Sequence, residues 1–201
     1  MNNIPWLPYL AVEYIQYLDP NSVFEWGSGG STLWFMDRLW LPQGQLITVE
    51  HSVEWADQLK KELKKRRIKH SGFHLIYPNF GEIGPDKSDP AHYKSGATDL
   101  GAVNFKDYVE IIHRYDTLDL ILIDGMARAS CIANAIEHVN PGGCIVIDNT
   151  NDRPYYLEKT AHLFGNYEDG WERVDIMGYG PILDYKWQTT FFINHRKADY
   201  G

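Results

Sequence analysis

A glycine-rich loop directly follows an acidic residue near the start of the chain, in the stretch FEWGSGGST. Gly27 and Gly29 permit a tight turn and a close approach of a ligand to the main chain around Ser28, because glycine has no Cβ. A dinucleotide site prefers G-x-G-x-x-G, but Thr32 stands at the third glycine position, and Glu25 would repel a pyrophosphate. We therefore predict a ligand with less anionic charge and with an ammonium group. The alternative is a turn that joins a strand to a helix for structural reasons alone.

A second acid, Glu50, ends the apolar run QLITVE, about 20 to 25 positions after the loop. An acid at the carboxyl end of the strand that follows such a loop can accept hydrogen bonds from both hydroxyls of a ribose. An exposed acid at a strand end would account for the residue type but not for its spacing. Glu50 is therefore the second predicted ligand-binding residue.

The elements that must position these residues are short apolar runs that alternate with helix-like segments. Runs that are apolar on both faces are typical of a parallel sheet covered by helices, so the sequence predicts an α/β fold. Two later runs, 171–178 and 187–195, predict an antiparallel pair at one sheet edge. The predicted helices include 8–18 and 155–164. The other predicted strands are SVFEW, QLITVE, FHLIY, LDLILID and GCIVID.

The domain organisation is simple apart from one long connection. No linker or internal repeat divides the chain, so residues 1–201 are expected to form one domain. The segment 78–104 has no apolar periodicity and is too long for an ordinary connection between elements. The segment is either a functional lid over a binding site or a disordered loop, and we predict the lid.

Composition argues against several classes of function. The 201 residues include 27 acidic and 19 basic residues, a formal charge of -8 that would repel a phosphate backbone, so no nucleic-acid partner is expected. The N-terminus lacks a basic start and a long apolar run, which predicts neither a signal peptide nor a membrane span. Cys131 and Cys144 stand among apolar neighbours and predict buried thiols in a reducing compartment. We therefore expect a cytoplasmic protein without a membrane partner.

These motifs resemble those of the class I S-adenosylmethionine-dependent methyltransferases over residues 22–149. FEWGSGGST is similar to the loop at the methionine end of the cofactor, TVEHSVEW to the ribose segment, LDLILIDG to the fourth strand, and NPGGCIVIDN to the turn into the fifth. The resemblance implies a Rossmann-like three-layer sandwich whose mostly parallel seven-stranded sheet has the order 3-2-1-4-5-7-6, with an antiparallel edge strand. It also implies S-adenosylmethionine as cofactor, bound by Glu25, Gly27, Ser28, Gly29, Glu50 and Asp124.

The resemblance places two further residues near the adenine of this cofactor. His51, beside Glu50, is expected to border the ribose or adenine, with a solvent-exposed histidine at a helix start as the alternative. The loop after the third strand, IYPNFG, lacks the acid that often contacts adenine in the family. Asn79 in this loop is the expected substitute.

Two residues are candidates for the chemistry of transfer. Asp124 ends the fourth strand at the expected active-site edge and is a candidate base. Arg128, four residues later, is expected either to hold an anionic acceptor or to form a salt bridge with a carboxylate at the helix start. Methyl transfer otherwise requires mainly alignment and exclusion of water, since a sulfonium already activates the methyl carbon.

A metal site is also implied, because Asp124, Asp148 and Asn149 end two strands that the implied order makes neighbours. The arrangement is similar to that of the catechol and caffeoyl-coenzyme-A O-methyltransferases, whose metal sites use an Asp after the fourth strand and an Asp-Asn pair after the fifth. The resemblance implies a divalent cation, Mg²⁺, that activates the acceptor hydroxyl. The alternatives are a turn at Asp124 and a helix cap at Asp148 or Asn149. This chain has GMAR where those enzymes carry an acidic cluster.

The predicted function is methyl transfer from S-adenosylmethionine to a hydroxyl of a small molecule, a sugar or another metabolite. Aromatic side chains in the predicted lid and at the sheet edge are expected to cover the pocket of this acceptor: Tyr93, Tyr155, Tyr156 and Tyr179. The alternatives are an NAD-dependent oxidoreductase and a noncatalytic S-adenosylmethionine-binding module, because fold does not fix function. The sequence leaves the oligomeric state open, with a homo-oligomer as one option.

Overall fold

The computed structural model describes residues 3–38, 44–66, 73–77, 79–80, 84–100, 102–165 and 167–196. The central sheet has seven strands, which are β1 (Ser22–Trp26), β2 (Gln45–Glu50), β3 (Phe73–Leu75), β6 (Leu118–Ile123), β7 (Val139–Asp148), β8 (Trp171–Gly178) and β9 (Trp187–Asn194). Two short strands, β4 (Asn79–Phe80) and β5 (Val103–Asn104), pair with each other in a separate sheet.

The α-helices lie between these strands, apart from the first, which precedes β1. They are α1 (Tyr9–Leu18), α2 (Gly30–Arg38), α3 (Val53–Arg66), α4 (Lys106–Glu110), α5 (Arg128–Ala135) and α6 (Tyr155–Glu158). Short 3-10 helices cover Pro90–His92, Thr98–Leu100, Ile111–Arg114, Ile136–His138 and Ala161–Phe164. No helix among the described residues combines the length and the apolar character needed to cross a membrane.

The strand order of the large sheet is β3-β2-β1-β6-β7-β9-β8. Without the two short strands, this is the predicted order 3-2-1-4-5-7-6, and the α/β Rossmann-like class is confirmed. Strand β9 runs antiparallel to both of its neighbours, β7 and β8. The predicted antiparallel pair at one sheet edge is confirmed, with the antiparallel strand β9 one place inside the edge. The edge strand β8 returns to the parallel direction because a turn joins it to β9.

Each central strand sends alternate side chains to opposite faces of the sheet, since successive Cβ atoms of a strand point to opposite sides. In β6, Leu120 and Leu122 pack in a cluster with α1 and α2. Ile121 and Ile123 pack on the other face in a cluster with α4 and α5. All four side chains are fully buried. The run LDLILI is apolar throughout because helices cover both faces, which confirms the three-layer arrangement.

Element boundaries differ from the prediction in three places. Strand β7 begins at Val139 and includes the PGG turn, with a register shift against β6 near its start. Strand β3 is shorter than predicted. The predicted helix 155–164 is divided into α6 and a 3-10 helix, with a hydrogen bond from Thr160 Oγ1 to Tyr156 O (2.6 Å) at the division. Both cysteines are buried free thiols, as predicted.

The parallel strands β1, β2, β6 and β7 have their carboxyl ends at the same edge of the sheet. Trp26, the last residue of β1, is in register with Val49 of β2 and Ile123 of β6, and Ile123 is in register with Ile147 of β7. The residues that follow these positions are the predicted site residues. The sheet therefore brings them together although they are distant in sequence.

Asp119 ties together the opposite edge of the sheet. One carboxylate oxygen accepts hydrogen bonds from the backbone N–H groups of Asn21 and Ser22, both at 3.0 Å, and the other accepts from Asn140 Nδ2 at 2.8 Å. Burial acts to raise the pKa of Asp119, but these hydrogen bonds outweigh it and lower the pKa. The carboxylate thus joins the starts of β1, β6 and β7.

We expect Asp119→Asn to lower the free energy of unfolding by about 1 to 3 kcal/mol, because a backbone N–H group loses its acceptor. A lowered pKa stabilises the fold above the unfolded-state pKa, and this stabilisation is lost as the pH falls. The deficit of the variant should therefore shrink between about pH 7 and about pH 3 in urea unfolding. Asp116→Asn, at an exposed acid nearby, is the control. An equal deficit at both pH values would contradict this role of the charge.

Candidate active site

A cavity of about 290 Å³ opens at the carboxyl edge of β1, β2 and β6. Its wall combines the loop after β1, the residues after β2 and the loop after β6. The fold brings most of the predicted cofactor residues to this wall, namely Gly27, Ser28, Gly29, Glu50, His51 and Asp124. The wall also includes residues that were not predicted, among them Trp6, Ser52, Trp55, Gly125 and Met126.

The loops after β1 and β6 approach each other closely where both carry glycine. Gly27 has a φ of +99°, and a Cβ at this position would lie 3.0 Å from Gly125 Cα and N. A Cβ on Gly125 would collide with the hydroxyl of Tyr108. The glycines are therefore required by the main-chain conformation and by the contact between the two loops. The structural alternative thus accounts for these glycines, and the role of the loop in binding a ligand stays a prediction.

Glu25 lies beneath the glycine loop rather than in the cavity wall. The fully buried carboxylate accepts hydrogen bonds from Ser31 Oγ at 2.9 Å, from Thr48 Oγ1 at 2.8 Å and from Thr32 Oγ1. Thr32 Oγ1 in turn accepts a hydrogen bond from Gly29 N at 2.9 Å. Burial raises the pKa of Glu25 to about 7 against the lowering effect of the three hydroxyls. The structure thus places Glu25 as an internal support of the loop, away from the position that direct contact with a ligand ammonium requires.

Glu50 lies in the cavity wall, and the protein already binds both of its carboxylate oxygens. Oε2 accepts hydrogen bonds from Ser28 N at 2.9 Å and Ser28 Oγ at 2.8 Å, and Oε1 accepts from the N–H groups of His51 and Ser52, each at 2.8 Å. Burial acts to raise the pKa of Glu50, but His51 and these hydrogen bonds outweigh it and lower the pKa. A carboxylate offers about four acceptor positions, so a ribose must replace a present donor. Only the Ser28 hydroxyl can leave by side-chain rotation alone.

Two tryptophans that the sequence reasoning missed stand at the mouth of the cavity. The ring centroids of Trp6 and Trp55 are 5.5 Å apart, and Trp6 is 42% exposed. Trp55 Nε1 donates a hydrogen bond to Ser28 O, so its indole supports the glycine loop. The sequence signal for Trp55 was its place on the first turn of the helix after Glu50. Trp6 carried no such signal, because it lies far from the motifs in sequence.

His51 borders the cavity next to buried aromatic rings. Its ring centroid lies 5.7 Å from that of Phe105 and 6.0 Å from that of Tyr108. His51 Nδ1 lies 3.0 Å from Glu50 Oε1, and this contact acts to lower the pKa of Glu50. The imidazole therefore stands at the cavity wall with one nitrogen directed at Glu50. Asn79 lies in β4 and its side chain is outside the described residues, so its adenine contact stays a prediction.

Arg128 joins the ends of β6 and β7 through its guanidinium group. Nε donates to Gly125 O at 2.9 Å, and Nη2 donates to Asp124 O at 2.9 Å and to Asp124 Oδ1 at 2.8 Å. Nη1 donates to Asp148 O at 2.8 Å and to Asn149 Oδ1 at 3.3 Å. The side chain is 7% exposed, and all of its N–H groups have an acceptor. Arg128 therefore forms the expected salt bridge with Asp124 and has no donor free for an anionic acceptor.

The same guanidinium group lies where the metal ion was predicted, and the residues there do not fit a cation. Asp124 Oδ1 and Asn149 Oδ1 both face Arg128, while the Asp148 carboxylate turns away and accepts a hydrogen bond from Trp187 Nε1 at 3.1 Å. Among the described residues, no three His, Cys, Asp or Glu side chains are grouped so that they could hold a metal. A positive charge already occupies the site and would repel a second one. The metal assignment of Asp124, Asp148 and Asn149 is corrected accordingly.

The two acids at this edge of the sheet have raised pKa values. Burial, and after it the charge on Asp124, raises the pKa of Asp148 to about 7, even though Thr189 Oγ1 donates a hydrogen bond to it at 2.5 Å. Burial also raises the pKa of Asp124, and Arg128 limits the rise. Only Asp124 of this pair lines the cavity, with 28% of its side chain exposed. Asp124 is therefore the acid of this pair that a group in the cavity can reach, and the direction of its pKa shift favours acceptance of a proton.

We expect the pH dependence of stability to report the burial of Glu25. Because its folded-state pKa is about 7 and its ordinary value is 4.5, the folded protein retains a proton that the unfolded chain releases between these values. Stability therefore falls as the pH rises through this interval and levels off above it. Glu25→Gln removes this contribution. The melting temperature of the variant, relative to that of the wild type, should therefore rise between about pH 5 and about pH 8. Each kcal/mol of stability that the wild type loses in this interval corresponds to about 2 to 4 °C. For the control Glu13→Gln, at an exposed acid, the difference from the wild type should be the same at every pH. The same constant difference for Glu25→Gln would contradict the raised pKa of Glu25.

We expect Arg128→Ala to lower the free energy of unfolding by about 3 kcal/mol, because it removes the hydrogen bonds of a buried guanidinium group and leaves the half-buried Asp124 carboxylate without its partner. Arg173→Ala is the matched control, because Arg173 pairs with Asp175 on the surface (3.1 Å), where such pairs contribute about 0 to 1 kcal/mol. Urea unfolding measures both. Mg²⁺ and a chelator should leave the melting temperature of the wild type unchanged. Saturable stabilisation by Mg²⁺ that disappears in Asp124→Asn would restore the metal site.

No family model and no curated protein matches this sequence. The fold is nevertheless found in solved structures. An O-methyltransferase from Bacillus cereus in complex with SAH has a TM-score of 0.62 at 15% identity, over 90% of this chain and 77% of that chain. The cofactor-bound Rv0187 from MTB has a TM-score of 0.64 at 16% identity, over 96% and 84%.

A third similar structure is the O-methyltransferase TomG from Streptomyces achromogenes in complex with SAM. Its TM-score is 0.63 at 14% identity, over 93% of this chain and 78% of that chain. At such low identity the likeness concerns the path of the main chain. The protein has the fold of the class I S-adenosylmethionine-dependent methyltransferases.

Proposed function

We propose that the protein is an S-adenosylmethionine-dependent methyltransferase that acts on a hydroxyl group of a small molecule, a sugar or another metabolite. The proposal is carried by the convergence of the glycine loop, Glu50 and Asp124 on one cavity. In open α/β sheets, ligands bind outside the carboxyl ends of the strands where the strand order reverses, and β1 and β6 are that point in this sheet. The similar proteins from B. cereus and S. achromogenes hold SAH and SAM.

The residues of the cavity suit the parts of this cofactor. When bound, S-adenosylmethionine supplies a methyl group on a sulfonium. Around Ser28, the glycine loop gives main-chain access for the amino-acid end, and Glu50 has the acceptor oxygens for ribose hydroxyls. His51 lines the same cavity beside Glu50. Trp6 narrows the mouth, which serves the exclusion of water that methyl transfer requires.

Binding at Glu50 requires an exchange of hydrogen bonds. Ser28 Oγ donates to Oε2 at 2.8 Å, and rotation of this hydroxyl would open an acceptor position for a ribose hydroxyl. The backbone donors Ser28 N, His51 N and Ser52 N can stay in place and keep the carboxylate oriented and ionised. The lowered pKa of Glu50 therefore favours the form that accepts hydrogen bonds from ribose.

Asp124 is the proposed general base for the acceptor hydroxyl. Asp124 lines the cavity, and its carboxylate accepts a hydrogen bond from Arg128 through Oδ1. Burial raises its pKa, which makes the ionised carboxylate a better proton acceptor. Arg128 also binds the main-chain oxygen of Asp124 and thus fixes the position of the side chain. The proton of the hydroxyl would pass to Asp124 while the methyl group passes to the hydroxyl oxygen.

Calorimetry with S-adenosylmethionine, S-adenosylhomocysteine and NAD tests the class of cofactor. We expect the first two to bind and NAD to fail, because the loop departs from the dinucleotide pattern. Glu50→Gln should weaken binding of S-adenosylhomocysteine by about 1 kcal/mol, because the bond from the ribose replaces the bond from the Ser28 hydroxyl and contributes only the difference between them. Ser28→Ala should keep or gain affinity, because the competing hydroxyl is gone. Glu13→Gln, at an exposed acid on α1, is the control for the charge change.

Two results of this experiment would count against the proposal. One is tighter binding of NAD than of S-adenosylmethionine, which would favour the oxidoreductase. The other is unchanged affinity in Glu50→Gln with the fold intact by circular dichroism, which would remove Glu50 from the site. Transfer of a labelled methyl group to any of a panel of hydroxyl metabolites then separates an enzyme from a noncatalytic binding module.

A further inference from the structure

A second cavity of about 50 Å³ adjoins the first. The two cavities share Gly125 and Met126, so the loop after β6 forms a common wall. The other walls come from the segment 84–100 and from the residues after β7, including Tyr155 and Tyr156. A group bound here would therefore lie next to the site proposed for the methyl donor. Two other tyrosines expected at the acceptor pocket do not line it, namely Tyr93 and Tyr179.

The segment 84–100 is held beside this cavity by contacts with the rest of the protein. Lys159 Nζ contacts Asp86 Oδ2 at 2.7 Å and Asp89 Oδ2 at 3.3 Å. Ser95 Oγ contacts Met126 Sδ at 3.2 Å, at the wall that the two cavities share. These contacts position the cationic side chains that the same segment carries.

Three cationic side chains line the small cavity, and none of them forms an ion pair with a carboxylate in the described ranges. Lys87 Nζ lies 4.0 Å from the ring centroid of Tyr155, and Lys94 Nζ donates to a backbone carbonyl at 3.0 Å. Arg153 Nη1 donates to Tyr156 Oη at 3.1 Å. All of these hydrogen-bond and ring partners are neutral, and the nearest anionic influence is that of Asp124, on which the charge of Arg153 acts to lower the pKa.

This local charge is opposite to that of the whole chain, which has a formal charge of -8. Positive charges gathered at one cavity repel each other, and an anion bound between them relieves this repulsion, although exposure of Lys87 and Arg153 to solvent reduces it. Arg128 adds a fourth positive charge to the lining, but the acceptors around it already use all of its donors. The free capacity to bind an anion therefore belongs to Lys87, Lys94 and Arg153.

We propose that this cavity binds an anionic group, a carboxylate or a phosphate, on the methyl acceptor. The inference rests on the proposed function, because it assigns the shared wall of the two cavities to the place where donor and acceptor meet. A volume of about 50 Å³ holds a group the size of a few water molecules, which excludes a whole acceptor but admits its charged end. Lysine and arginine bind both kinds of oxyanion through charge-assisted hydrogen bonds. The rings of Tyr155 and Tyr156 supply an apolar side to the same pocket.

Calorimetry in saturating S-adenosylhomocysteine tests this cavity with two probes, inorganic phosphate and succinate. Sodium chloride at matched ionic strength accounts for charge screening. The test protein carries Lys87→Gln, Lys94→Gln and Arg153→Gln together. The control carries Lys61→Gln, Lys64→Gln and Lys65→Gln, which remove the same charge from exposed positions on α3.

We expect at least one probe to bind the wild type and the control saturably, and to bind the test protein at least about tenfold more weakly. Affinity for S-adenosylhomocysteine should be equal in all three proteins. Preference for phosphate or for succinate identifies the kind of oxyanion. In the labelled-methyl screen, hydroxy acids or phosphate monoesters of that kind should then exceed their neutral analogues as acceptors.

The outcomes separate this inference from the proposed function. If S-adenosylhomocysteine binds but neither probe does, or if the test protein binds the probe as well as the control does, the inference is wrong and the proposed function stands. If the wild type does not bind S-adenosylhomocysteine, the proposed function is wrong, and the inference that rests on it is wrong as well.

Discussion

A buried guanidinium group holds together the edge of the sheet where the candidate site lies. Arg128 satisfies its donors with oxygens of the loop after β6 and of the end of β7, and a buried charge tolerates little departure from such an arrangement. Because Asp124 is one of these partners, the position of the candidate base and the integrity of the sheet edge depend on one interaction. Asp119 joins the opposite ends of the same strands with a charge of the other sign. The central strands are thus fastened at both ends by buried or half-buried ions.

Glu25 and Glu50 show how far surroundings outweigh residue type. Both acids lie at the carboxyl edge of neighbouring strands and are almost fully buried. Glu25 receives hydroxyl donors, which do not offset its burial, and its pKa rises to about 7. Glu50 receives backbone N–H donors in addition, and its pKa falls. One acid therefore acts as a support that is only partly ionised near neutral pH and the other as an ionised acceptor, and only Glu50 of the two reaches the cavity.

The order of the strands and most of the cavity wall could be predicted because they follow from local patterns. Runs such as LDLILID are apolar on both faces, which indicates central strands covered by helices. The glycine loop follows β1 directly in sequence, so it must lie at the carboxyl end of this strand. The direction of side chains at the strand ends could not be predicted in this way. Asp148 faces Trp187, which is 39 positions away in sequence, and Arg128 occupies the space between Asp124 and Asn149. Spacing alone cannot distinguish a ring of oxygens around an arginine from one around a metal ion.

In the proposed site, the hydrogen bond from Ser28 to Glu50 occupies the acceptor position that a ribose hydroxyl would use. A site that is satisfied before its ligand arrives gains only the difference between two sets of hydrogen bonds, so most of the net affinity must come from other parts of the ligand. The same property acts in reverse when the ligand leaves, because the serine hydroxyl can restore the bond at once and no buried carboxylate oxygen is stranded. The serine hydroxyl therefore weakens equilibrium binding of the proposed ligand and also shortens the time for which the product stays bound. Rapid release of product favours fast turnover over long retention of the ligand.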